Sequence, residues 1–128
     1  MSEGSAVALR ALVVDDDDTM VEFVSHVLRG AGYQVETCGD GMKALELFRA
    51  APFDVTVADV RMPRLSGISF LKNLRLPQGS PHRIVLFSSL MDKQLEREAL
   101  DAGAVACLRK PASAKAILDA IEGARATG

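Results

Sequence analysis

Four consecutive aspartates, Asp15 to Asp18, directly follow the run Leu9–Val14, which is apolar apart from Arg10. A fifth carboxylate, Asp59, ends the stretch Val55-Thr-Val-Ala, and Met62-Pro63 lies just beyond it. Ser88-Ser89 follows Arg83-Ile-Val-Leu-Phe87, and Lys110-Pro111 follows Val105–Arg109. Each polar group stands at the lip of an apolar segment, where a buried and unpaired charge is costly. Two carboxylates about 5 Å apart repel by roughly 3 kcal/mol at an effective dielectric near 20. If Asp15, Asp16 and Asp59 meet, one lysine cannot balance them, so the site takes up a proton or binds a cation. Several carboxylates with room for water, and oxygen donors only, suit magnesium.

The elements that would position these groups are five strands alternating with five helices. Leu9–Val14 reads as the first strand. Thr19 and Glu22 match a T-x-x-E capping box for a helix with Met20, Val24, Val27 and Leu28 on one face, ended by Gly30-Ala-Gly32. Tyr33–Cys38 is a weaker second strand, and Asp40–Ala50 a helix turning Ala44, Leu45 and Phe48 inward and stopping at Pro52. Phe53–Ala58 is the third strand, Ser66–Arg75 a short helix, and Pro77–Pro81 a breaker cluster. Arg83–Phe87 is the fourth strand, Asp92–Ala102 a helix closed by Gly103, and Val105–Arg109 the fifth strand. A last helix after Ser113 places Ala114, Ile117, Leu118 and Ile121 on one face.

Strands alternating with helices imply a parallel sheet covered on both faces, with right-handed crossovers. Five such units fit a doubly wound α/β sheet of order 2-1-3-4-5, flavodoxin-like, with strands 1, 3 and 4 central. Its ligand crevice lies beyond the carboxyl ends of strands 1 and 3. Asp15, Asp16, Asp59, Ser88 and Lys110 then share one edge. Taken singly, Asp59 is a turn residue before Pro63, Ser88-Ser89 a solvated turn and Lys110-Pro111 a loop. Their coincidence at one edge is what carries chemical meaning.

Composition removes several other functions. The chain has 128 residues, 48% hydrophobic and 25% charged, which suits one globular domain. No apolar run reaches the roughly 18 residues of a membrane span, and the start, MSEGSAVALR, lacks a basic region before its apolar part. A cytoplasmic location with no membrane partner is expected. The net charge is −2 and no basic block interleaves with aromatics, so direct nucleic-acid binding is not expected. Cys38 and Cys107 lack metal-ligand spacing, and His26 and His82 are isolated structural residues. In the proposed sheet the two cysteines lie four strand spacings apart, roughly 19 Å, against a Cα limit near ~7 Å for a disulfide.

Val13-Val-Asp15-Asp16, Asp59 with Met62-Pro63 and Gly67, Ser88 after Arg-Ile-Val-Leu-Phe, and Lys110-Pro111 resemble, in order and separation, the receiver domain of two-component response regulators. The resemblance covers about residues 9 to 125, leaving residues 1–8 as a lead and 126–128 as an end. It implies that Asp59 accepts a phosphoryl group from the phosphohistidine of a sensor histidine kinase or histidine phosphotransfer protein. Asp16, Asp59 and the Arg61 backbone carbonyl would touch magnesium, and Asp15 would act mainly through water. Lys110 would serve the phosphoryl oxygens and Ser88 would swing onto the new phosphate. That movement would bias the surface of helix 4, strand 5 and helix 5, the expected dimer, effector or partner face. By the same resemblance the Lys110-Pro111 bond is cis, and the domain assists its own modification without being a turnover enzyme.

Three departures qualify this pattern. Cys107 stands where the family usually has an aromatic, so output must use backbone and loop movement. Arg61 and Leu90, two residues after Asp59 and Ser88, occupy positions that tune phosphate lifetime, and apolar Leu90 offers attacking water no hydrogen bond. Asp17 and Asp18 are read as complements to a helix N-terminus. Two rival readings remain. Asp15-Asp-Asp17-Asp-Thr19 also fits D-x-D-x-T, which resembles the nucleophile motif of haloacid-dehalogenase-type phosphohydrolases, although for the late acidic pair only Asp119 and Glu122, on a helix, follow Lys110, and Asp59 and Met62-Pro63 are left unexplained. A pseudo-receiver that binds without being phosphorylated is opposed by the complete set Asp15, Asp16, Asp59, Ser88 and Lys110. The abrupt end Arg-Ala-Thr-Gly favours a receiver cut from a longer protein over a stand-alone regulator.

Overall fold

The computed structural model describes residues 9–51, 53–62, 65–74, 82–90 and 92–127, with side chains through residue 122. The lead 1–8, Pro52, Pro63, Arg75, the breaker cluster 77–81 and Gly128 lie outside the described residues. Strands and helices alternate: β1 Arg10–Val14, α1 Asp18–Gly30, β2 Gln34–Cys38, α2 Gly41–Ala50, β3 Val55–Asp59, α3 Gly67–Leu74, β4 Arg83–Ser88, α4 Lys93–Asp101, β5 Ala106–Arg109 and α5 Ala114–Thr127. All pairings are parallel and the order is β2-β1-β3-β4-β5. This is the doubly wound sheet expected from the sequence.

The central strands read as continuous apolar runs because both faces are covered. Leu12 and Val14 of β1, Ala58 of β3 and Ile84 and Leu86 of β4 face α2, α3 and α4, packing with Leu45, Phe70, Leu71 and Ala99. Ala11, Val13, Val55, Val57, Val85 and Phe87 face the other way, onto Val24, Leu28, Ile117 and Ile121 of α1 and α5. The period of two along a strand sorts these residues between the layers. β2, at one edge, is mostly exposed, and β5 at the other is half-buried.

Two local expectations are corrected. The cap of α1 is Asp17, whose side chain accepts from the Thr19 N–H, so Thr19 lies inside the helix and heads no capping box. An aspartate is at least as good an N-cap as a threonine and here comes first along the chain. On α5, Ala114 opens the helix and stays exposed, so the buried face begins at Ile117. Cys38 and Cys107 are both free thiols on opposite edge strands. Among the described residues no helix is long and apolar enough to cross a membrane.

Candidate functional site

Register places the polar groups at one level. Val14 pairs with Ala58, so Asp15 and Asp59 emerge together from neighbouring strands. Asp59 is opposite Phe87, and Ser88 is opposite Arg109, which puts Ser88 one residue beyond the Asp59 level on β4 and Lys110 two residues beyond it, just past β5. Lys110 is held there by its backbone N–H, which donates to the Ser88 carbonyl at 3.0 Å.

Lys110 closes the site. Its Nζ donates to Asp15 Oδ2 at 2.7 Å and to Asp59 Oδ2 at 3.0 Å. Asp15 is 6% exposed and Asp59 8%, so both ionised groups depend on this cation and on backbone donors. The Asp17 N–H supplies Asp15 Oδ1 at 2.9 Å, and the Arg61 N–H supplies Asp59 Oδ1 at 3.1 Å. Burial works against the charge on Lys110, but the hydrogen bonds and charges of the two aspartates outweigh it and raise its pKa above the ordinary lysine value.

Asp16 is exposed and turns a carboxylate toward the same point. Asp15, Asp16 and Asp59 each offer one oxygen, and the three oxygens lie within 4.8 Å of one another. Hard oxygen donors on a solvent-open rim fit a divalent cation of the magnesium type, which keeps several waters. Arg61 is exposed and joins the site through its backbone N–H.

Ser88 is 1% exposed, and its Oγ accepts from the Leu90 N–H at 3.1 Å. The hydroxyl therefore holds its own loop, beside a cavity of about 380 Å³ lined by Arg61, Ser88, Leu90, Asp92, Leu95 and Glu98. Leu90 is 55% exposed at its mouth. The Lys110-Pro111 peptide is cis. Gly67 seats α3 directly behind Asp59: a Cβ there would come within 2.5 Å of the Asp59 carbonyl oxygen.

Residues 11–122 match the family model for the response regulator receiver domain. The chain belongs to the response regulator receiver domain family. This receiver domain is 34% identical over 119 residues to the transcriptional regulatory protein PdtaR of Mycobacterium tuberculosis, covering 92% of the chain and 57% of that protein. It is 37% identical over 99 residues to the transcriptional regulatory protein FixJ of Bradyrhizobium diazoefficiens, covering 77% of the chain and 48% of that protein. The chain thus spans about half the length of the curated relatives it matches. The chemotaxis response regulator CheY4 of Vibrio cholerae superposes with a TM-score of 0.83 at 33% identity, covering 91% of this chain and 98% of that one. Receiver domains are signalling modules of two-component systems in which phosphorylation and magnesium are general features. Nothing in these likenesses supports the phosphohydrolase reading of Asp15 and Asp17, and Asp17 is engaged as the α1 cap.

Proposed function

We propose that Asp59 is the phosphoacceptor of this receiver domain and that a histidine kinase or histidine phosphotransfer protein supplies the phosphoryl group. An Asp59 carboxylate oxygen attacks the phosphorus of phosphohistidine. The P–N bond breaks, its electron pair returns to the imidazole, and an aspartyl phosphate forms. Hydrolysis reverses the charge state: water attacks phosphorus, the P–O bond to Asp59 breaks, and the carboxylate and inorganic phosphate remain. Each Asp59 takes up one phosphoryl group per donor, and hydrolysis returns the acceptor to its starting state.

The observation that carries this reading is the double contact of Lys110 with Asp15 and Asp59 at the carboxyl edge of the sheet. Lys110 and the Arg61 N–H fix the Asp59 carboxylate through different oxygens, which sets its plane before the donor arrives. Asp15, Asp16, Asp59 and the Arg61 carbonyl would hold magnesium, whose charge offsets the repulsion between two approaching anions. Lys110 is a compact, mobile ammonium that can follow the new phosphoryl oxygens. Ser88 would exchange its Leu90 N–H partner for a phosphoryl oxygen and draw the β4–α4 loop with it.

Output would pass to an effector or a second copy through α4, β5 and α5. Cys107 on β5 is half-buried and packs against the α2–α4 layer. Its small side chain has no aromatic rotamer to flip, so loop and backbone movement carries the signal.

Incubation with a small phosphodonor and magnesium should give one stable phosphoryl group per chain. Asp59→Asn or a chelator should abolish it. Equal labelling of Asp59→Asn would reject the assignment, and sustained release of phosphate from a generic phosphate ester would favour the phosphohydrolase instead.

A further inference from the structure

α2 begins on a buried glycine, although glycine is among the poorer helix formers. A Cβ on Gly41 would overlap the Leu65 carbonyl oxygen, and would lie 2.8 Å from the Leu65 Cβ and 3.0 Å from its carbonyl carbon. The first turn of α2 therefore sits flush on the backbone of Leu65, with no room for a methyl group.

Leu65 belongs to the segment that leaves Asp59. At the near end of that segment the Arg61 N–H donates to Asp59 Oδ1 at 3.1 Å. Just past Leu65 the Gly67 N–H donates to the Val60 carbonyl at 2.9 Å, tying the start of α3 to the residue after Asp59. Gly41 meets this tie at Leu65. It is itself fixed to the acidic rim. Asp40 caps α2 by accepting from the Lys43 N–H at 2.8 Å, the Cys38 thiol contacts the Asp40 carbonyl at 3.7 Å, and the Cys38 carbonyl accepts from the Asp15 N–H at 3.1 Å. A continuous path of short contacts thus links Asp15 to Asp59 through the start of α2.

We infer that Gly41 is a positioning residue for the phosphoacceptor site: its missing side chain seats Leu65 and so, through Gly67 and its hydrogen bond to the Val60 carbonyl, holds the Arg61 backbone against Asp15 and Asp16. The inference rests on the reading of Asp59 as a magnesium-dependent acceptor. A methyl group at Gly41 must push Leu65 outward. The displacement reaches the Arg61 backbone and opens the oxygen cluster.

The test is a magnesium titration of the full chain followed by backbone amide NMR, run well below the unfolding temperature of every variant. Gly41→Ala should bind magnesium roughly tenfold more weakly, as removal of a supporting contact behind metal ligands typically does. Ile121→Val, a core change in α5 remote from the rim, should lower thermal stability and leave the affinity unchanged. Leu65→Gly provides a second route, since it loosens the same seat while leaving Gly41 in place. It should weaken magnesium binding in the same direction, and it decides the matter if Gly41→Ala does not fold. Parental affinity in folded Gly41→Ala, or in Leu65→Gly when the first variant is unfolded, overturns the inference alone. A parent chain that neither binds magnesium nor accepts a phosphoryl group overturns the functional reading together with it.

Discussion

His82 makes a sharp prediction about acid stability. It precedes β4, at the end of the sheet away from the acidic rim. Its Nδ1–H donates to the Phe53 carbonyl, its Nε2 lies 3.1 Å from Thr56 Oγ1, and Phe48 meets the ring edge-on at 4.6 Å. Since Nδ1 carries the proton, Nε2 accepts from the Thr56 hydroxyl, and the neutral ring is satisfied on both sides. Burial is the main cause that pulls its pKa from 6.5 down to about 4. The Phe53 hydrogen bond and the Asp54 charge oppose this, and the Arg83 charge assists it. A histidine neutral in the fold and charged when unfolded binds fewer protons in the native state. Stability is therefore complete above pH 6.5 and is lost as pH falls toward 4. A difference of about 2.5 pH units corresponds to about 3.4 kcal/mol in total, of which about 2 kcal/mol has gone by pH 5. Urea unfolding of the parent and of His82→Gln at pH 7 and pH 5 isolates this part, because the carboxylates titrate alike in both. The parent should lose about 2 kcal/mol more than the variant over that interval. Equal losses would refute the reasoning.

Other consequences of the site can be measured directly. Lys110→Met strands two buried carboxylates, so its melting temperature in chelator should fall by the equivalent of about 3 kcal/mol, with magnesium restoring more of it than in the parent. The same variant should accept phosphoryl groups roughly 100-fold more slowly, and a parental rate would show that Lys110 serves the fold alone. Leu90→Glu places a hydrogen-bonding carboxylate at the mouth of the cavity beside Ser88, and its phosphorylated form should decay faster in a chase experiment; an unchanged lifetime removes Leu90 from that role. Burial pushes the thiols of Cys38 and Cys107 from 9.0 up to about 11. Alkylation at pH 8 should then be about a hundredfold slower than for an ordinary thiol, and a fast reaction at either one would contradict its burial.

The sheet was legible because its central strands are covered on both faces and so are written as unbroken apolar runs. The site was legible for a related reason: Asp15, Asp59, Ser88 and Lys110 each interrupt such a run at its carboxyl end. Residue type alone did not separate the four adjacent aspartates; the resemblance gave Asp15 and Asp16 to the metal site and the helix start gave Asp17 and Asp18 to its N-terminus, while the Lys110 contact of Asp15 was not foreseen. The exit of β1 decides that Asp15 is buried on Lys110, Asp16 is exposed on the rim, and Asp17 caps α1. Contacts that depend on strand register were equally invisible. His82 with Thr56, and Arg10 placed 4.4 Å over the Phe53 ring, join residues far apart in the chain. Gly41 did leave a signal, since a glycine at the start of a strong amphipathic helix must be explained by a close approach. Its partner, Leu65, emerges only from the packed structure.

One carboxylate among five near the rim is the acceptor in the proposed function. Phosphorylate the chain with a small phosphodonor and magnesium, reduce the acyl phosphate with borohydride, and map the modified residue by peptide mass spectrometry. Conversion is expected at Asp59 alone. Conversion at Asp15 or Asp17, with Asp59 intact, would contradict it.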